Sequence, residues 1–423
     1  MRDSGYSVAL RRWLTLGDQV LYTGTNFALA LMLTLKSGVA ETGRFALASS
    51  IAVLFHSLFS GAVTEPMTVF GAHRRSGRIR TSYCRLAVFI GIALLALTVL
   101  LYVLAVRGDS ASVANAALGL ALFSAQGIVL CHKRFLYLIN RPDAAACVSG
   151  RYALSGITIA CCFSFFGNFK VGELVLSIVA AAFAASMQWA ARIAAVSIPL
   201  GVATSGAWKN RRFTFWLVVS GIPAAIATQA IYWIADLKST RETVGQLKLY
   251  EQLTAPGQQV VSAVTVTDQV ASAVVAAEGR LHEVALRASK SALLYAVIAA
   301  AYVPFALLLA VMLAKIRPNM GVVSGVAMLV YMLGLVAQSW SAAWNVAARV
   351  IRAPEIVALG YCAMAVVVIG SGLLTPVTSL TALSLIVATA WTVQALVIWS
   401  VARRRIALVN IPQSDAIPTA SKS

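Results

Sequence analysis

The passage Leu35-Lys36-Ser37-Gly38-Val39-Ala40-Glu41-Thr42-Gly43 returns 202 residues further on as Leu237-Lys238-Ser239-Thr240-Arg241-Glu242-Thr243-Val244-Gly245, with Leu, Lys, Ser and the closing Gly unchanged. Each copy joins the first and second blocks of a set of six apolar blocks. Trp189, in the sixth block, falls on Trp391 in the twelfth under the same shift. So short a match carries weight only through its agreement with an independent count of the blocks. Together they divide the chain into two halves of equal orientation, related by an axis along the membrane normal, with the substrate path expected between them. The expected lobes are 1–205 and 206–405, followed by a cytoplasmic tail at 406–423 without fixed structure.

The block count rests on composition. Of 423 residues, 60% are hydrophobic and 12% charged, about half the charged share of a soluble protein, roughly 25%. The apolar residues fall into runs of about 20, the length that crosses the hydrocarbon layer as a helix. Continuous runs exclude a barrel, whose strands alternate in polarity. The expected fold is an all-α polytopic membrane protein with twelve spans, at 16–35, 45–70, 86–106, 114–131, 144–166, 171–191, 213–234, 247–275, 292–314, 320–342, 356–374 and 378–401. The first run follows Arg11 and Arg12 but lacks a cleavage pattern, so it reads as a retained span.

The formal charge of +19 would suggest nucleic acid in a soluble chain, yet the basic residues lie between the apolar runs, on alternate links. With the N-terminus inside, 25 of the 34 Lys and Arg residues are cytoplasmic. The positive-inside rule then places both termini in the cytoplasm, in a multi-pass inner-membrane protein. Basic loops of this kind also meet anionic headgroups. The six cysteines (Cys84, Cys131, Cys147, Cys161, Cys162, Cys362) have no metal-ligand spacing and read as free thiols. His56, His73, His132 and His282 are scattered without a catalytic partner. No cofactor, metal or catalytic constellation is expected, and no P-loop is present.

Ionisable residues inside a span are expensive and mark candidates for function. The eighth span is the most polar: Gln258, Ser262, Thr265, Gln269 and Ser272 recur at steps of four and three, with Glu251 in phase, Asp268 at the edge, and Lys248 and Gln252 above. Such a stripe lines a water-filled cavity or bonds neighbouring helices together. Pro256 within it removes a backbone donor and should bend or break the helix. Asn26 and Gln229 lie deep in the spans that open each half, and Tyr232 and Asp236 follow Gln229 outward. Asp18 and Glu65 sit near cytoplasmic ends, where they either reach the interface or act in ion coupling. Arg151 lies within a span, and for Arg192 snorkelling explains the position.

Several short passages resemble the polysaccharide flippases of the multidrug/oligosaccharidyl-lipid/polysaccharide (MOP) superfamily. These are Asn26-Phe27, Glu41-Thr42-Gly43-Arg44-Phe45, Thr64-Glu65-Pro66, the basic HKRFLYLINRPDAA at 132–145, and the stretch from Val244-Gly245 through Gln252 to Pro256. The resemblance implies two six-helix lobes forming a V around a central cavity. It implies a transporter that flips an undecaprenyl-diphosphate-linked oligosaccharide between leaflets by alternating access, alongside polysaccharide polymerase and glycosyltransferase machinery. On that analogy Arg44, Lys248 or Arg151 receives diphosphate, and Asn26, Gln229, Tyr232, Asp236, Glu251, Gln252, Gln258, Thr265, Asp268 and Gln269 line the sugar path. A multidrug extruder of the same superfamily is the alternative, with Asp18, Glu65 or Asp268 binding a proton or cation. A major-facilitator sugar porter is disfavoured because GAHRRSGRIR at 71–80 lacks that family's acidic residue. A polymerase or glycosyltransferase would need a large outer loop or paired carboxylates, whereas the longest expected link, 235–246, is about a dozen residues on these span lengths.

Overall fold

A computed structural model describes residues 8–71, 77–108, 110–167, 169–196, 211–316, 324–351, 353–375 and 379–409. Among them the chain forms twelve helical units and no strand: α1 (Val8–Ser37), α2 (Val39–Phe59, continuing through a π turn at Ser60–Thr64 into Glu65–Gly71), α3 (Gly77–Arg107), α4 (Ala111–Leu138), α5 (Pro142–Phe166) and α6 (Val171–Ala195) in the first lobe. The second lobe holds α7 (Arg211–Lys238), α8 (Arg241–Ala277), α9 (Leu281–Ile316), α10 (Gly325–Val350), α11 (Pro354–Leu374) and α12 (Leu380–Val409). Ten of these are long and apolar enough to cross a membrane, so the chain is a multi-pass membrane protein. The two that fall short are α1 and α8, which pack against each other between the lobes and carry polar residues there. The helix starts expected at 320 and 378 and the lobe boundary at 205–206 lie outside the described residues. At the other end α12 runs to Val409, past the boundary expected at Arg405.

Local chemistry fixes the turns. Gly38 and Gly279, with φ of 86° and 77°, supply left-handed backbone between α1 and α2 and between α8 and α9. Asn140 (φ 61°) does the same before Pro142, which opens α5 from a position where its missing N–H costs nothing. The link between α7 and α8 is much shorter than the dozen residues expected. Only Ser239 and Thr240 lie outside helices, because polar helix ends extend beyond the apolar run that betrays them in the sequence. The Thr240 hydroxyl accepts from the Thr243 N–H at 3.3 Å and so caps α8.

The internal repeat is visible in the packing. The helix pairs α1–α5, α3–α4, α4–α6 and α5–α6 recur as α7–α11, α9–α10, α10–α12 and α11–α12. In the first lobe Ser37 of the repeated passage donates to the Phe169 carbonyl, and the Glu41 carboxylate accepts from the Val171 N–H at 3.2 Å. In the second, Lys238 donates to the Leu373 and Thr375 carbonyls at 2.8 and 3.2 Å. Both copies thus tie the first turn of a lobe to its fifth.

Glycine lets the lobes meet. A Cβ on Gly43 would collide with the Arg241 carbonyl, and one on Gly245, its repeat partner, with the Val39 carbonyl. Lower on α2, a Cβ on Gly61 would stand 2.7 Å from the Leu217 carbonyl oxygen, and one on Gly221 2.8 Å from that of Ser57. Backbone therefore touches backbone along α2–α8 and α2–α7. One hydrophobic core fills the first lobe; a second fills the outer part of the other lobe and takes in Ala46 of α2; a third closes its basic end around Trp344, Tyr295 and Ile398.

Helix α8 passes through Pro256 unbroken, so of the two outcomes its ring suggested, a break or a bend, the break does not occur. Gly257 leaves room for the Tyr302 ring, which a Cβ would approach to 2.7 Å, and the Tyr302 hydroxyl donates to the Leu253 carbonyl at 3.0 Å. A neighbouring helix thus bonds the turn before the proline, one residue past the Gln252 carbonyl that loses its i→i−4 donor. Tyr302→Phe is expected to lower stability by about 1 kcal/mol, read as a lower melting temperature of the purified protein without loss of helical circular dichroism.

Candidate functional site: a polar cavity in the second lobe and a buried ion pair in the first

A cavity of about 260 Å³ lies within the second lobe and is closed on one side by Val53 of α2. Helix α7 contributes Thr228, Gln229 and Tyr232, α8 Glu251 and Gln258, α10 Tyr331 and Gln338, and α12 Trp391, over an apolar floor that includes Met364 and Val368 of α11. Tyr331 and Trp391 meet edge to face at 5.2 Å, and Gln258 donates to Gln338 at 3.3 Å. The Gln229 side-chain carbonyl and the Trp391 indole N–H, each buried, have no partner among the described residues. Both amide atoms of buried Gln252 on α8 are likewise unpartnered among the described residues. Unpaired buried polar atoms are costly, and two of these belong to residues that line the cavity.

Charge in this cavity is balanced internally. The Glu251 carboxylate accepts from Lys248 at 2.9 Å and from the Tyr232 hydroxyl. The ammonium also stands 5.4 Å from the Tyr232 ring and 6.0 Å from that of Phe45 across the lobe boundary, distances at which cation–π attraction acts. Lys248 is buried behind the carboxylate, which is one-third exposed.

In the first lobe, Asp18 of α1 is fully buried. Its Oδ1 lies 3.0 Å from the Lys133 ammonium and accepts from Ser149 at 2.5 Å, while Oδ2 accepts from the Tyr137 hydroxyl. Lys133 also sits 4.3 Å over the Tyr22 ring. Tyr22 packs on Tyr152, whose hydroxyl donates to Asn26 Oδ1 at 2.8 Å, and Asn26 donates back to the Tyr22 carbonyl at 3.1 Å. Asn26 is therefore an interhelical bond between α1 and α5. Nearby, His132 stacks at 4.4 Å on Trp189, and a Cβ on Gly334, the repeat counterpart of His132, would touch Trp391. The two tryptophans matched by the repeat thus occupy equivalent places in the two lobes.

The remaining sequence candidates separate. Glu65 lies 3.8 Å from Arg134 and 3.9 Å from Arg349 of α10, joining the lobes at the basic end. Asp268 accepts from Ser291 and Tyr295, both at 2.6 Å, in a hollow of about 10 Å³ distinct from the main cavity. The α8 stripe is thus divided: Glu251 and Gln258 face the large cavity, whereas Thr265 bonds back to the Val261 carbonyl at 2.7 Å, Gln269 is half-buried and Ser262 is exposed. Of the residues expected in the substrate cavity, only Gln229, Tyr232, Glu251 and Gln258 line this one. Arg151 is exposed because its neighbour Tyr152 takes the inward face of α5; Asp236 is exposed beside buried Ala235; Arg44 pairs with Glu41 at 2.8 Å on the same helix. Lys133, Tyr137 and Ser149 were not expected in a site. Lys133 read as a loop cation because the apolar run ends at Cys131, yet α4 continues to Leu138. Among the described residues no group of His, Cys, Asp and Glu could hold a metal.

No family model matches the chain, and no curated protein does. Solved structures do. A MOP superfamily transporter from Pyrococcus furiosus, described for the reverse polarity of its binding pocket, shares 16% identity at a TM-score of 0.65, with 95% of each chain covered. A multidrug resistance MATE family transporter in an outward-facing conformation gives 16% and 0.65, covering 95% of this chain and 96% of the other. An inward-facing MATE structure gives 15% and 0.57 with 97% of each covered. The chain therefore has the fold of MOP superfamily transporters, with two lobes of six helices.

Proposed function

We propose that this protein is an alternating-access membrane transporter that moves an amphipathic, hydroxyl-rich substrate, a lipid-linked oligosaccharide, from one leaflet to the other. The observation that carries this reading is the chemistry of the second-lobe cavity: amides of Gln229, Gln258 and Gln338, an aromatic corner of Tyr331 and Trp391, and a carboxylate already neutralised by Lys248. Aromatic faces take the apolar side of a sugar ring, and amides take its hydroxyls in both directions. A cationic drug would find no uncompensated acid there. The two glycine-packed lobes and the ion pair from Glu65 to Arg349 supply an interface that can open and close.

The neighbours favour a second reading, since several are multidrug resistance transporters of the MATE family. In that reading the chain extrudes drugs, with Asp268, which pairs with hydroxyls alone among the described contacts, as the acidic group. Reconstitution separates the two. In vesicles carrying an undecaprenyl-diphosphate-linked oligosaccharide in one leaflet, the protein is expected to expose the glycan to a lectin on the opposite side, and Trp391→Ala to slow this about tenfold. Ethidium accumulation driven by a proton or sodium gradient, with no change in lectin access, would establish the second reading instead.

A further inference from the structure

Asp18 is the only buried carboxylate among the described residues, and what surrounds it has the make-up of a cation site. Its oxygens are joined by the Ser149 and Tyr137 hydroxyls, which come from α5 and α4, so hard oxygen donors from three helices converge on one point. The position a metal ion would take is held by Lys133. Its Nζ is 3.0 Å from Asp18 Oδ1. The ion pair is completed by the face of Tyr22 at 4.3 Å. A buried ammonium held by a carboxylate and an aromatic face supplies the positive charge that a bound cation would supply.

We propose that Lys133 is a tethered counter-cation that permanently fills a monovalent metal-cation site in the first lobe, so that the protein works without exchanging a cation at Asp18. The site is built but self-occupied, and removing the lysine head group converts it to one that takes sodium. The alternative to filling it is a bare carboxylate within the membrane, which is strongly unfavourable. A sodium ion in the vacated space would restore the balance using the same carboxylate and hydroxyls. The pair of Lys248 and Glu251 differs in being open to the cavity, and no such exchange is inferred there.

The test compares full-length purified protein, wild type and variants, in choline chloride and in sodium chloride at one ionic strength and pH. The wild-type melting temperature is expected to be the same in both salts. Lys133→Gln is expected to melt lower in choline and to recover as sodium replaces it, by roughly 3 °C at a hundredfold excess over Kd. The recovery should saturate, and it should vanish in Asp18→Asn/Lys133→Gln. A wild-type protein stabilised by sodium in a manner that Asp18→Asn abolishes would overturn the proposal. So would a Lys133→Gln protein that is monodisperse yet indifferent to sodium, or one that aggregates equally in both salts while Asp18→Asn/Lys133→Gln folds.

Discussion

Gly245→Ala is expected to destabilise the protein by about 3 kcal/mol, at the upper end of the usual cost of overpacking, and to abolish transport. The added methyl would be driven into the Val39 carbonyl, a backbone atom that cannot rotate away. Relief requires α2 and α8 to separate, and with them the two lobes. Gly43→Ala should behave alike, since its methyl would meet the Arg241 carbonyl at the repeat-related point. Gly150→Ala supplies the control: it lies within α5, a Cβ there meets nothing within 4 Å, and alanine should stabilise the helix by about 1 kcal/mol. Thermal melting of the three variants checks the order. Equal melting temperatures for Gly245→Ala and wild type would show that the lobes do not rest on these glycines.

These same glycines close both copies of the passage that divides the chain, and they show what kind of information the sequence holds. Helix number and order were legible because a membrane span must be apolar over a fixed length, and because a parallel repeat must place like helices alike. The structure supports the pairing of Trp189 with Trp391, which also pointed, through the repeat, to a cavity residue that no motif marked. Which face a residue takes was not legible. Arg151 and Tyr152 are adjacent in sequence, and only packing against Tyr22 and Asn26 decides that the tyrosine turns inward. Asp236 beside Ala235 is the same case. Lys133 escaped notice for a different reason: an ammonium deep in a lobe is tolerated only through partners on other helices, Asp18 and Tyr22, and nothing local in the sequence announces them.

The paired charges of the cavity make a prediction in which the two partners behave unequally. Glu251→Leu should cost about 3 kcal/mol, because it strands the Lys248 ammonium between Tyr232 and Phe45 with 8% of its side chain exposed, and also takes the acceptor from the Tyr232 hydroxyl. Lys248→Leu leaves behind a carboxylate that is one-third exposed to the cavity and can be hydrated there, so its cost should stay below about 1 kcal/mol. A double leucine variant, with neither charge, should recover most of the loss. The functional effects run the other way. Lys248→Leu turns a neutral cavity into an anionic one and, on the function proposed above, is expected to admit organic cations such as ethidium while slowing passage of a diphosphate-linked glycan; Glu251→Leu leaves an excess cation and should not admit ethidium. Ethidium binding to the purified variants, followed by fluorescence, reads the first effect, and lectin access in vesicles reads the second. If Lys248→Leu leaves both unchanged, the pair merely fastens α8 to its neighbours, and the selectivity of the cavity has to come from its amides and aromatic corner alone.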